Sequence, residues 1–420
     1  MECQIIIKDA NLMKTDIIST QLKGRNLESV QEENRSSVLR MLKKKNVCSR
    51  AEIATALGLK QATITNIIND FLTWGLVRET GFLSGSKGRR SIGVELRRNA
   101  FYVIGLRLRR NNFKIGLFDV CGENVFSIHQ DYNKREGPRK VVELMRNSIQ
   151  KVIRDNPDKT ILAVGIAVPG PYFADKGVIS SLTDFPGWEE ISFRDEITKD
   201  INIPVVIDHD SNAGALAEWW LAPNEQISGT LVYIGAGDGI GAGILHDGVV
   251  FRGALGIAGE IGHMSIDKDG PICDCGNRGC LTNYVSTTYM TQRVNRSIQK
   301  YPETILKKDC SFEEFVNAVN HDDPLAMAVF RDVAHSLSVG LVNLICAYDP
   351  NEIIISDRIS LLGEKLIVTL MEMLTEKAKQ NYFGHVSLKL GSFARDSSYI
   401  GAAALAVDYC FGTPAIFNQT

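Results

Sequence analysis

A histidine and three cysteines lie close together in the second half of the chain, as His263 followed by CDCGNRGC with Cys273, Cys275 and Cys280. Their spacing, His-x9-Cys-x-Cys-x4-Cys, supplies one imidazole and three thiolates, a donor set that zinc takes in tetrahedral geometry. Four protein ligands leave no open coordination position, so zinc here is expected to be structural and not catalytic. The glycines of the loop let the backbone wrap around an ion; a reduced cysteine cluster without metal is the plainer alternative. His263 belongs to GIAGEIGH, which also carries Glu260. A bound metal would therefore fix side chains that face a ligand, or Glu260 would support the zinc histidine from behind.

The rest of the nine cysteines are scattered. An odd number, behind an N-terminus (MECQIIIKDANLMKTD) with no basic stretch leading into an apolar core, argues against a disulfide framework and for a reducing cytoplasm. No apolar run is long enough to span a membrane, so no membrane insertion is expected. A chain of 420 residues accommodates two or three domains. Its net charge of -2 conceals an asymmetry: residues 1–98 hold 17 Lys and Arg against 10 Asp and Glu, and the remainder holds 30 against 39. A basic front on an acidic body points to a polyanion as partner of the front.

The elements of that front end agree. Residues 1–28 are polar and weakly patterned, and read as an arm. From Asn34, Val38, Leu39 and Leu42 mark one apolar helical face; SRAEIATALG follows, with Ser49 as N-cap, Glu52 completing a capping box and Gly58 ending the helix. After a short turn, QATITNIINDFLTWG predicts a third helix that buries Ile64, Ile67, Ile68 and Phe71 and offers Gln61, Thr63, Thr65 and Asn66 on its first turn and outer face. Two short helices of this kind predict a helix-turn-helix, whose amide and hydroxyl side chains can bond base edges in the major groove. LVRET, GFLSGSKGRR and SIGVEL then read as strand, Gly-rich loop and strand, a wing tipped by Lys87, Arg89 and Arg90 that suits phosphates or a narrow minor groove. Residues 29–98 are thus expected to form a winged helix-turn-helix that binds double-stranded DNA; a protein-docking module is the alternative.

Beyond residue 99 apolar strand-like runs (FYVIGLRL, NFKIGLFD, ILAVGIAV, IPVVIDHD, GTLVYIGAG, NEIIIS) alternate with helical stretches, which predicts an α/β body. Two glycine-spaced hairpins, one at its start and one near residue 240, predict two related lobes around a cleft. Trp219 and Trp220 read as packing or an oligomer surface.

GIAGEIGH with CDCGNRGC, the upstream VPGP and FPGW, and HDSNAGALAE resemble the ROK family (repressors, open reading frames and kinases), and the winged front, from NRSSVLRML through SKGRRS, resembles its repressor branch. That branch includes repressors responsive to xylose, N-acetylglucosamine and glucose. The resemblance covers residues 34 to about 405. It implies an actin-like ATPase (ribonuclease-H-like) fold for residues 99–420, with the zinc loop at about 263–280. In the kinase members an Asp takes the proton from a sugar hydroxyl during phosphoryl transfer from ATP. The matching residue is Asp210, read here as a vestigial base that binds sugar without turnover. Glu260 and His263 match sugar-hydroxyl ligands, with His209 and Asp184 standing where the family has Asn, and Thr282 where it has Glu.

The nucleotide motifs depart further. The family's Asp-x-Gly-Gly-Thr is Arg107, Leu108, Arg109, Arg110 and Asn111; the threonine of Gly-Thr-Gly-x-Gly is Asp238; and a glycine pair near the adenosine end is Ser356 and Asp357. Arginine fills the space that glycine leaves for close backbone approach, and a carboxylate repels phosphate. No ATP is expected. The resemblance implies a cytoplasmic repressor of carbohydrate-utilisation genes, a homodimer or tetramer, controlled by a sugar or sugar derivative. A hexose kinase carrying a DNA-binding head, or a repressor controlled by protein sequestration, are the competing readings.

Overall fold

Asn26 accepts the Ser29 amide and starts helix α1 (Leu27–Lys45). The helix therefore begins before the apolar pattern that opens at Asn34, and a boundary at residue 28 falls inside its first turn. Strand β1 (Val47–Ser49) leads to α2 (Arg50–Leu57), where Ser49 and Glu52 cap each other reciprocally and Gly58 adopts the left-handed conformation that ends the helix. Helix α3 (Gln61–Thr73) buries Ile64, Ile67, Ile68 and Phe71. Strands β2 (Val77–Leu83) and β3 (Ser91–Leu96) pair antiparallel, and β1 joins β3 on the other side. The computed structural model describes residues 26–83, 91–180, 186–222, 229–377, 384–393 and 396–418.

The first lobe carries β4 (Tyr102–Leu108), β5 (Asn112–Asp119), β6 (Asn124–Asp131), α4 (Pro138–Arg154), β7 (Ile161–Val168), the short pair β8 (Tyr172–Phe173) and β9 (Val178–Ile179), α5 (Phe193–Thr198) and β10 (Val205–His209). Helix α6 (Asp210–Leu221) follows without a break. The second lobe carries β11 (Thr230–Ala236), β12 (Ile240–His246), β13 (Val249–Val250), α7 (Thr282–Val285), α8 (Thr287–Ser297), α9 (Phe312–Asn320), α10 (Pro324–Tyr348), β14 (Glu352–Ser356), α11 (Glu364–Lys377) and β15 (Ser387–Leu390). Helix α12 (Ser397–Gly412) then returns to the first lobe.

Both lobes have one plan. Their sheets run β10-β7-β4-β5-β6 and β13-β12-β11-β14-β15, each an antiparallel three-strand meander extended by two parallel strands. Helices α6 and α12 pack against each other so closely that a Cβ on Gly401 would lie 1.9 Å from the carbonyl oxygen of Ala213. The apolar helix α10 is long enough to cross a membrane by length and composition, yet it buries Leu325, Phe330, Leu337 and Leu341 in the second-lobe core.

The winged helix does not stand apart from the body. Val38, Leu39, Phe71 and Val94 share one continuous buried cluster with Phe101, Tyr399, Cys410, Phe411 and Phe417 of the first lobe. Arg40 adds an ion pair to Asp408 on α12 at 2.7 Å.

Candidate functional site

The β10–α6 junction places the chemistry. Strand β10 ends at His209 and α6 begins at Asp210, so the two side chains enter the space between the lobes from one turn. Buried Asp208 anchors that turn: it accepts the His209 amide at 2.7 Å and the Asn212 amide group at 2.8 Å, and pairs with Arg252 at 2.8 Å. His209 Nε2 then lies 3.3 Å from Asp210 and 3.9 Å from Glu260. Gly170 makes the approach possible, because a Cβ there would fall 2.2 Å from His209 Nε2 and 2.7 Å from Glu260. These residues line a cleft of about 1410 Å³, which also takes in His263 and Thr282.

Of the residues singled out in the sequence, His209, Asp210, Glu260 and His263 are thus brought to one cleft, while Asp184 lies outside the described residues. Two carboxylates and two imidazoles that line one open cleft can donate to and accept from vicinal hydroxyls.

Glu260 and His263 belong to one 3-10 turn, Ile261–His263 capped at Glu260. Below it, the ligand atoms of His263, Cys273, Cys275 and Cys280 all lie within 4.8 Å of one another, an arrangement that can hold a metal ion. Cys275 Sγ is 3.6 Å from Cys280 Sγ, and Cys273 Sγ is 3.7 Å from His263 Nδ1. Tetrahedral bonds of about 2.3 Å to sulfur require edges of about 3.8 Å, so the cluster has the dimensions of such a centre. Burial and the thiols of Cys275 and Cys273 push the Cys280 thiol up to about 12. A divalent cation would remove that resistance to joint ionisation.

The other half of the cleft is crossed by ion pairs. Arg107, on β4, is buried; its guanidinium lies 3.3 Å from Asp357 and 3.5 Å from Asp210. Burial opposes its charge, but Asp357 and then Asp210 outweigh burial and hold its pKa above the usual value. Arg109 approaches Asp357 at 3.9 Å. Asp238 pairs with Arg358 at 3.2 Å, a guanidinium it shares with Glu313 at 3.4 Å, and accepts from the Thr287 hydroxyl at 3.0 Å, so its charge is partnered within the protein. Asp208 and Arg252 were missed in the sequence: DHDSN gave a hint of the first, and nothing local marks the second.

On the winged helix, Gln61 and Asn66 are exposed on α3, and Thr63 and Thr65 are half-buried. The Thr65 hydroxyl donates back to the Gln61 carbonyl at 2.9 Å. Lys87, Arg89 and Arg90 lie outside the described residues.

Twin lobes of this topology around a cleft define the actin-like ATPase fold. The sequence profile of the ROK family matches residues 103–409, and the chain belongs to that family. A putative xylose repressor from Caldicellulosiruptor sp. (strain Rt8B.4) is 27% identical over 394 residues, covering 92% of this chain and 98% of that protein. The DNA-binding transcriptional dual regulator NagC of Escherichia coli (strain K12) is 27% identical over 386 residues, with coverage of 90% and 93%. The crystal structure of a ROK family transcriptional regulator, a homologue of the E. coli MLC protein, superposes with a TM-score of 0.79 at 24% identity, covering 93% of this chain and all (100%) of that one. A ROK hexokinase from Thermus thermophilus superposes with a TM-score of 0.62 at 26% identity, covering 73% of this chain and 98% of the kinase.

Proposed function

We propose that this chain is a DNA-binding transcriptional repressor whose operator affinity is set by a sugar or sugar derivative in the interlobe cleft. One observation carries the reading: the repressor relatives match through the winged helix as well as the body, at 92% and 90% of this chain, whereas the hexokinase is used up at 73%. The winged helix is the part a kinase lacks. Its helix α3 enters the major groove with Gln61, Thr63, Thr65 and Asn66 toward base edges, while Lys87, Arg89 and Arg90 of the wing meet phosphates or the minor groove. A dimer would set two heads on a pseudo-palindrome with half-sites about 10 bp apart or a multiple of that.

Ligand hydroxyls are held by Asp210, His209, Glu260 and His263, joined by Asp184 of the sequence segment before FPGW. The ligand acts through its unequal affinity for two placements of the lobes. Zinc is the metal that one imidazole and three thiolates select, and with all positions filled by protein it holds the Glu260–His263 turn and takes no part in chemistry. Phosphoryl transfer is not the function. Supporting this, Arg107 pairs with Asp357 and Arg358 with Asp238, and the resemblance to the kinases sets Arg107, Asp238 and Asp357 in their nucleotide-binding motifs.

Selection of bound sequences from random double-stranded DNA by the full chain tests the reading. An enriched two-fold sequence is the expected result; no enrichment under any condition would remove the DNA-binding assignment. ATP-dependent phosphorylation of a sugar, abolished in Asp210→Asn, would favour the kinase instead.

A further inference from the structure

Helix α6 has one end in the cleft and the other against the DNA-binding head. At its N-terminus Asp210 meets His209 and Arg107. Its 12 residues make a rod of about 18 Å, and at the far end Trp219 and Trp220 face α1. The Lys44 ammonium sits 5.4 Å from the centroid of Trp219, and the Arg40 guanidinium 5.3 Å from that of Trp220. Lys43, between them, donates to the Cys121 carbonyl on the β5–β6 turn at 2.7 Å. One face of α1 thus grips the end of α6 and the parts beside it. Trp219 also touches the second lobe: a Cβ on Gly248, in the β12–β13 turn with φ +82°, would lie 2.7 Å from its indole nitrogen.

We propose that α6 is a rigid strut by which occupancy of the cleft at Asp210 is read by the DNA-binding head, and that Lys44–Trp219 and Arg40–Trp220 are its coupling contacts. This rests on the reading of the cleft as a ligand site and of the head as a DNA reader. The rod is suited to the task. Residues Ser211 to Glu218 are buried without interruption, and contact with α12 runs backbone to backbone at Gly401, so no soft side chain separates the two helices. Packed interiors transmit such displacements because they do not compress. Cation–aromatic contacts at the end are directional enough to register a shift and weak enough to be remade. Lys44 and Trp219 act as positioning residues, at the end of α6 opposite Asp210.

The test needs no ligand and uses the full chain. Asp210→Asn perturbs the cleft end, and amide hydrogen exchange is followed over residues 38–45 of α1, alone and combined with Lys44→Gln or Trp219→Leu. Lys44 is exposed, so its replacement leaves the core intact even if the tryptophan variant folds poorly. The strut predicts that Asp210→Asn changes α1 exchange by about threefold or more, and that the change falls to less than half of that once Lys44 is replaced. Exchange in α1 that ignores Asp210→Asn, or that responds equally with and without Lys44, overturns the proposal. Operator binding of the same variants is measured in parallel. Coupled exchange with no DNA bound by any of them would keep the strut and sink the repressor reading.

Discussion

The Asp210 carboxylate has two close polar neighbours, the Arg107 guanidinium at 3.5 Å and His209 Nε2 at 3.3 Å. The buried Arg107 guanidinium holds the carboxylate in place, which suits a group that accepts a hydrogen bond from a ligand hydroxyl. These site residues were legible in the sequence because they sit in short motifs. Their supports were not: Arg107 and Asp357 are 250 residues apart in the chain, and Asp208 and Arg252 are 44 apart, so folding alone introduces them. Glu218 belongs with these hidden groups. Burial raises it from an ordinary 4.5 to about 7, although the Ser392 amide donates to it. A carboxyl whose pKa is higher in the folded chain than in the unfolded one contributes stability that is full below about 4.5 and lost as pH rises through about 7. Glu218→Gln keeps an acceptor for Ser392 and is expected to gain about 1–3 kcal/mol over the parent at pH 8, and little at pH 5. Urea midpoints at the two pH values measure this, and an unchanged slope in the variant would contradict it.

Elements carry the next level of the account. Helices α2 and α3 were readable residue by residue, from the Ser49–Glu52 box and the Ile64–Phe71 face. The start of α1 was not, because LESVQEEN has no apolar period; the first turn is held by the Asn26 cap, and an Arg35–Glu32 pair follows further along the helix. Strand β1 is three residues long and exists only through its pairing with β3, which no local pattern encodes. On α3, Asn66→Ala is expected to cost about 1–3 kcal/mol of discrimination at one base pair, read by competition with single-base operator variants. On the wing, Arg89→Ala is expected to weaken every sequence alike and to reduce the salt slope by about 1. The metal loop answers to a different measurement. The parent is expected to hold about one zinc per chain by elemental analysis, and Cys275→Ser to lose it and to lower Tm by about 5 °C or more. A parent free of metal yet fully folded would remove the zinc assignment.

At the scale of the molecule, two lobes of one topology enclose the cleft, and the head shares its core with the first of them. The paired hairpins made the two lobes legible in advance. The fusion of head and lobe was not, since it depends on α12 and the Phe411–Phe417 segment returning from the far end of the chain to α1. With the head fixed to one lobe, any ligand that changes the angle between lobes acts against a platform already joined to DNA. The central claim is therefore a linkage between cleft and operator. It is tested most directly by the affinity of the full chain for its selected operator, titrated with D-xylose, D-glucose, N-acetylglucosamine and hexose 6-phosphates, with and without ATP and magnesium. The account predicts that one of these compounds changes operator affinity at least about tenfold (about 1.4 kcal/mol) and that ATP changes nothing. Operator affinity indifferent to every compound, together with phosphorylation of one of the sugars, would contradict it.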